Sequence, residues 1–187
     1  MVFEEIIKNT ALMVGREDVV NYINYETDLT GEDTYPTLDL MTNLLNLVIR
    51  ELAGTFIPMV KVESVQAENN KVYYKDLNET CLKVKKVFDE DGNELGFSIT
   101  PEYLKVNKEN VQIEYEYLPP NYYLDSTIGY TEKDISQTAL CYGLASEFCI
   151  CKGNFEEAVM WHDRYVSSIC AQRKIRNGFI KERNFVW

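Results

Sequence analysis

Six side chains invite a chemical reading first: the single histidine, His162, and the five cysteines Cys81, Cys141, Cys149, Cys151 and Cys170. A cysteine nucleophile needs a base within hydrogen-bond reach. Nothing in the spacing brings a thiol to His162, and the adjacent Asp163 projects from a different face of a helix. Cys141 and Cys149 sit on a similar helical face, which suits packing as small buried hydrophobes. A structural zinc site needs four ligands, commonly supplied by closely spaced pairs. Cys149-Ile150-Cys151 places two thiols on different sides of a helix end, and no Cys-x-x-Cys pair exists to complete the set. The run Asp89-Glu90-Asp91-Gly92-Asn93-Glu94 has the composition of a calcium loop. An EF-hand loop starting at Asp89 requires Gly at its sixth position and Glu at its twelfth, where this chain has Glu94 and Thr100. A hairpin turn is the better reading. Phosphate-loop, dinucleotide-binding and nucleophile-elbow patterns are absent from the sequence. The expectation is therefore no catalytic residue, no metal and no cofactor.

Charge points in the same direction. The 187 residues carry 30 acidic and 19 basic side chains, a net charge of −11. Such a balance disfavours bulk binding to nucleic acid or to an anionic membrane surface. It is unevenly spread, because Arg173, Lys174, Arg176, Lys181 and Arg183 face only Glu182 in the last fifteen residues. That segment is +4 and the remainder −15. A basic tail on an acidic body suits docking onto acidic neighbours, including copies of the same chain. The tail also holds Phe179, Ile180, Phe185, Val186 and Trp187, which would expose much apolar surface unless they pack somewhere. Packing on the chain's own body competes with insertion into another subunit, as an added strand or an aromatic hook. The candidate partner-binding residues are Arg176, Phe179, Ile180, Lys181, Arg183, Phe185, Val186 and Trp187. The odd cysteine count and a start without a signal-peptide pattern suggest a reducing intracellular setting. No apolar run approaches the length of a membrane-spanning helix, so no membrane partner is expected.

The elements that must position these residues fall into a helical front, a β middle and a helical back. Glu17–Asn24 reads as a short amphipathic turn or helix, and Thr27–Pro36 as an acidic loop. Met41, Leu44, Leu45, Val48 and Leu52 form the stripe of an amphipathic helix over Thr37–Phe56, capped by Thr37 or Asp39 and stopped by Pro58. Val60–Val65, Val72–Tyr74, Cys81–Phe88, Tyr103–Val106 and Val111–Tyr117 read as strands, with Asp91-Gly92 at a tight hairpin turn. In the last strand Val111, Ile113, Tyr115 and Tyr117 alternate with Gln112, Glu114 and Glu116, as in a half-buried antiparallel strand. Thr131 and Asp134 have capping-box spacing for a helix through Cys149, in which Ala139, Gly143 and Ala145 permit close helix approach. Gly153 is a helix stop, and Asn154 with Glu157 opens a second helix burying Ala158, Trp161, Tyr165 and Ile169, which frays near Asn177-Gly178. The predicted fold class is α+β: a helical bundle with an inserted antiparallel β lobe and a C-terminal extension. The expected divisions are an N-terminal helical part at 1–57, a β lobe at 58–120, a helical hairpin at 121–175 and a docking tail at 176–187.

The segment "QTALCYGLASEFCICKGNFEEAVMWHDRYVSSI", following the strand end "YEYLPP", carries a family resemblance. With the helix around Leu38–Phe56 and the β segment ending at Ile113–Pro120, it resembles the head–tail connector, or neck adaptor, proteins of tailed bacteriophages. That group includes the tail tubular adaptors of short-tailed phages and the ring proteins of crAss-like phages. The likeness lies in architecture over most of residues 37–175, and no portal-contact motif of the family aligns onto the tail, which is short. The resemblance implies a non-enzymatic virion subunit that forms a closed ring, commonly of twelve copies, through head-to-tail interfaces. It implies a portal protein above, tail or further neck proteins below, DNA only passing through the channel, and assembly in the host cytoplasm. A tail-completion or tail-terminator protein, or a small acidic regulatory binding module, are the alternatives.

Overall fold

A computed structural model of the chain describes residues 1–25 and 31–177, with side chains through 172. Its fold is α+β, with five α-helices and two small antiparallel sheets among the described residues. The described residues divide into two compact units, one drawn from 1–48 and 122–177, the other from 49–121.

The first unit is helical. Helix α1 (Phe3–Met13), which the sequence reading leaves unassigned, buries Phe3, Ile6, Ile7, Thr10 and Ala11 on one stripe. No side chain caps its start. Instead the entering backbone pairs with a distant segment: Phe3 N–H donates to Ser126 O at 3.1 Å and Ile128 N–H donates to Met1 O at 2.8 Å. Gly15, at φ +71°, ends it in the left-handed conformation that glycine tolerates. Helix α2 (Glu17–Ile23) is fixed at its head by a two-pronged contact, Arg16 Nε and Nη2 each donating to Asp18 at 2.8 Å.

Helix α3 (Thr34–Glu51) starts three residues before the expected Thr37, so Thr34–Pro36 is helix and not loop. The earlier start follows from a tertiary contact: Thr34 Oγ1 accepts from Gly31 N–H at 2.9 Å and donates to Asp18 Oδ2 at 2.8 Å. Pro36 is tolerated because the first helical turn has no use for its N–H. Midway along α3, buried Asn46 clamps the backbone of Tyr122, accepting from its N–H at 2.7 Å and donating to its carbonyl at 2.9 Å.

Helix α4 (Gln137–Cys151) also begins elsewhere than expected. Thr131 and Asp134 close a separate turn on each other, whereas Ser136 caps the helix by accepting from Ala139 N–H at 3.2 Å. Gly153, at φ +79°, ends the connection, and helix α5 (Phe155–Asn177) returns against α4. The hairpin is tightened by Ser146, which is buried and donates to Ala158 O at 3.1 Å. Gly143 fulfils its expected role: a Cβ there would lie 2.9 Å from a Val48 methyl and 3.1 Å from the Tyr165 ring.

The second unit opens with the end of α3, which widens into a π turn over Leu52–Phe56 closed by Ile57 N–H donating to Leu52 O at 2.8 Å. Six strands follow: β1 (Met59–Gln66), β2 (Lys71–Tyr73), β3 (Thr80–Phe88), β4 (Ser98–Ile99), β5 (Tyr103–Lys105) and β6 (Asn110–Leu118). They form two sheets, ordered β1-β6-β3 and β2-β5-β4, all antiparallel. Tyr74, expected to end β2, instead opens a short 3-10 turn. The expected alternation in β6 holds for Val111, Ile113 and Tyr115, which are buried, while Tyr117 is half-buried. With Val84, Val87, Val72 and Leu104 they form a core shared by both sheets. Tyr115 ends in the Glu63 carboxylate, donating at 2.7 Å. Burial and that hydrogen bond raise the phenol above its ordinary value.

Candidate assembly surfaces

The groups that first suggested chemistry are dispersed. Cys141 is buried in α4 with its thiol 3.8 Å from Ile6 O, and burial pushes its pKa up to about 11. Cys149 donates to Glu157 Oε2 at 3.7 Å, and burial together with that carboxylate also raises it. Both thiols are therefore held protonated, the opposite of an activated nucleophile. His162 lies on the exposed side of α5 while these thiols face inward, so the fold does not gather them. Among the described residues no cluster of three or more His, Cys, Asp or Glu has metal-holding geometry.

The acidic run at 89–94 is a turn. Asp89 Oδ1 accepts from Asn93 N–H at 2.8 Å and Asp91 N–H at 3.1 Å, and Gly92 takes φ +82°. These donors, Asn93 foremost, hold the Asp89 carboxyl below its ordinary range. An open cavity of about 450 Å³ near the end of β1 and β6 is lined by residues including Ser64, Gln66, Glu90 and Asn110, and Asn110 Nδ2 donates to Glu90 Oε1 at 2.8 Å.

The feature that calls for a partner is the outer flank of α5. Helix α4 is buried on nearly every side, yet over residues 155–172 α5 buries only Ala158, Tyr165 and Ile169. Phe155 is 66% exposed, Val159 62%, Met160 41% and Val166 37%. Phe155, Val159, Val166 and the exposed Cys170 recur at i, i+4, i+11 and i+15, which at 3.6 residues per turn is one flank about 22 Å long. It lies roughly 100° around the helix from the buried line. On the other side of that line Trp161, expected to be buried, is half-exposed. It stacks on Tyr142 at 5.7 Å, and Arg164 covers Trp161 at 4.9 Å. This cation–π stack occupies an aromatic surface that would otherwise be bare.

Sequence reasoning missed the apolar flank because it sought one buried face per helix. The available signal was a second apolar periodicity, offset from the first, on a helix already paired with α4. Of the proposed docking residues, Arg176 falls within the last turn of α5. Phe179, Ile180, Lys181, Arg183, Phe185, Val186 and Trp187 lie outside the described residues. Among the described residues no helix is long and apolar enough to cross a membrane. No protein-family model matches the chain, and no curated protein matches it.

Proposed function

We propose that this chain is a structural head–tail connector subunit of a tailed-phage virion, acting by assembly and without catalysis or cofactor. The observation that carries the reading is the apolar flank Phe155–Val159–Val166, left exposed among the described residues, on the helix that leads into the basic, aromatic C-terminal residues. Burying each such side chain contributes about 1.5–3 kcal/mol, which makes the flank an anchor within a larger subunit interface. In this reading copies associate head to tail into a ring below the portal, joining it to the tail. The acidic body borders the DNA channel, where negative charge limits adhesion of passing DNA.

The test is binding of the purified chain to isolated portal rings and, in parallel, to tail tubes. Portal binding that is abolished by truncation after Arg176, with helical content retained, is the expected result. Portal binding undiminished by the truncation removes the docking role of the tail. Binding to the tube alone moves the chain to the tail-completion class.

A further inference from the structure

The sheet β1-β6-β3 has two edges of different design. The β3 edge carries Lys83, Lys85 and Lys86 and two breaks of register, between Cys81 and Lys83 and between Val84 and Lys86. Charged residues and bulges of this kind discourage another strand from adding. The β1 edge has no such break: eight consecutive residues, Met59 to Gln66, pair in unbroken register with β6. Among the described residues β1 pairs with β6 alone. On its open face Val60 and Val62 are 43% and 56% exposed.

Behind this valine rail stands a row of acid. Glu116 is opposite Val60 and Glu114 opposite Val62, with Lys83 and Lys86 beyond them on β3. Among the described residues neither glutamate forms an ion pair, and Lys86 instead turns to Glu94 at 3.2 Å. The chain continues for ten residues past Asn177. Phe179 to Trp187 is one residue longer than β1, and Lys181 and Arg183 share the two-residue spacing of Glu114 and Glu116, flanked by Phe179 and Phe185 in the same alternation. In a strand beside β1, these basic side chains would start about 10 Å from β6. A lysine or arginine meeting a glutamate spans that distance above short valines.

We infer that the exposed edge of β1 receives Phe179–Trp187 of a second copy as an added strand, bringing Lys181 and Arg183 across Val60 and Val62 to Glu114 and Glu116, with Phe179 and Phe185 flanking the two valines. Such a contact is heterologous, so repetition generates a closed ring or a filament. The inference goes beyond the connector reading by naming a receptor for the tail, and it applies to any assembly built from copies of this chain.

The experiment is sedimentation of the full chain over a concentration series at low salt, with amide hydrogen exchange read at Met59–Gln66. Self-association should rise with concentration, together with protection of β1. K181E/R183E should weaken it about tenfold by turning two attractions into repulsions. E114K/E116K should weaken it similarly, and combining the two pairs should restore it to within about threefold, which loss of folding alone cannot mimic. Val62→Lys, at an exposed position, gives a second probe should the glutamate variants misfold, and it too should weaken association. Association indifferent to K181E/R183E and Val62→Lys, or protection that never reaches β1, overturns the inference. A chain that binds portal without β1 protection keeps the connector reading and loses this inference; protected β1 without portal binding does the reverse.

Discussion

Replacing Gly143 by alanine tests the packing of α3, α4 and α5 at its narrowest point. The added methyl would meet Val48 Cγ1 at 2.9 Å and two Tyr165 ring carbons at 3.1 and 3.2 Å. Neither neighbour has room to retreat, since Val48 is 1% and Tyr165 3% exposed. Overpacking of a filled site costs about 1–3 kcal/mol. Alanine returns up to about 1 kcal/mol of helix propensity. With the full return the balance is a loss of up to about 2 kcal/mol, read as a lower urea midpoint with an unchanged slope. A Trp187→Phe background leaves Trp161 as the sole tryptophan, so its fluorescence follows the helical unit. Val48→Ala alone leaves a cavity and costs about 1–3 kcal/mol. In the double variant the new methyl takes space vacated by Cγ1, so its loss should fall about 1 kcal/mol or more short of the sum. A Gly143→Ala chain more stable than the parent, or strictly additive losses, would refute the close approach.

Other expectations follow from the same structure. V159E/V166E should leave subunit stability within about 1 kcal/mol, because Val159 is 62% and Val166 37% exposed, yet reduce assembly; normal assembly by light scattering would remove the α5 flank from the interface. The Arg16 guanidinium and the Thr34 hydroxyl hold the Asp18 carboxyl at about 2, below its ordinary 3.8. Its contribution is present above pH 4 and lost as the pH falls towards 2, amounting to about 1 kcal/mol after allowance for screening of a partly exposed pair. Acid unfolding of Asp18→Asn should lack that component, and an identical acid limb would contradict the assignment. In the native chain a thiol reagent should modify exposed Cys151 and Cys170 rapidly and buried Cys141 slowly, with Cys170 becoming protected on assembly; equal rates would contradict the burial pattern.

Elements whose limits are set by local chemistry were legible in the sequence. The stripe Met41–Leu45–Val48–Leu52, the alternation in β6, the Asp91-Gly92 turn and the stop at Gly153 each carry their own signal. Elements whose limits are set at a distance were not. Helix α1 has an apolar stripe but no cap, since its start is held by Ser126 and Ile128. Helix α3 starts early because Asp18 reaches Thr34. Two similar signals competed before α4, and Thr131–Asp134 closes a turn while Ser136 makes the cap. Strands as short as Ser98–Ile99 depend on pairing with β5 more than on their own residues. For the candidate assembly surface, the basic and aromatic tail was visible in composition, whereas the flank of α5 was hidden by a single-face expectation.

The most direct measurement of the connector reading is the mass and partner content of the complex recovered with a tagged copy from its native source. The account predicts a megadalton assembly containing a portal-sized protein and this chain in ring stoichiometry. A small complex lacking capsid proteins would contradict it and give first place to an acidic regulatory binding module.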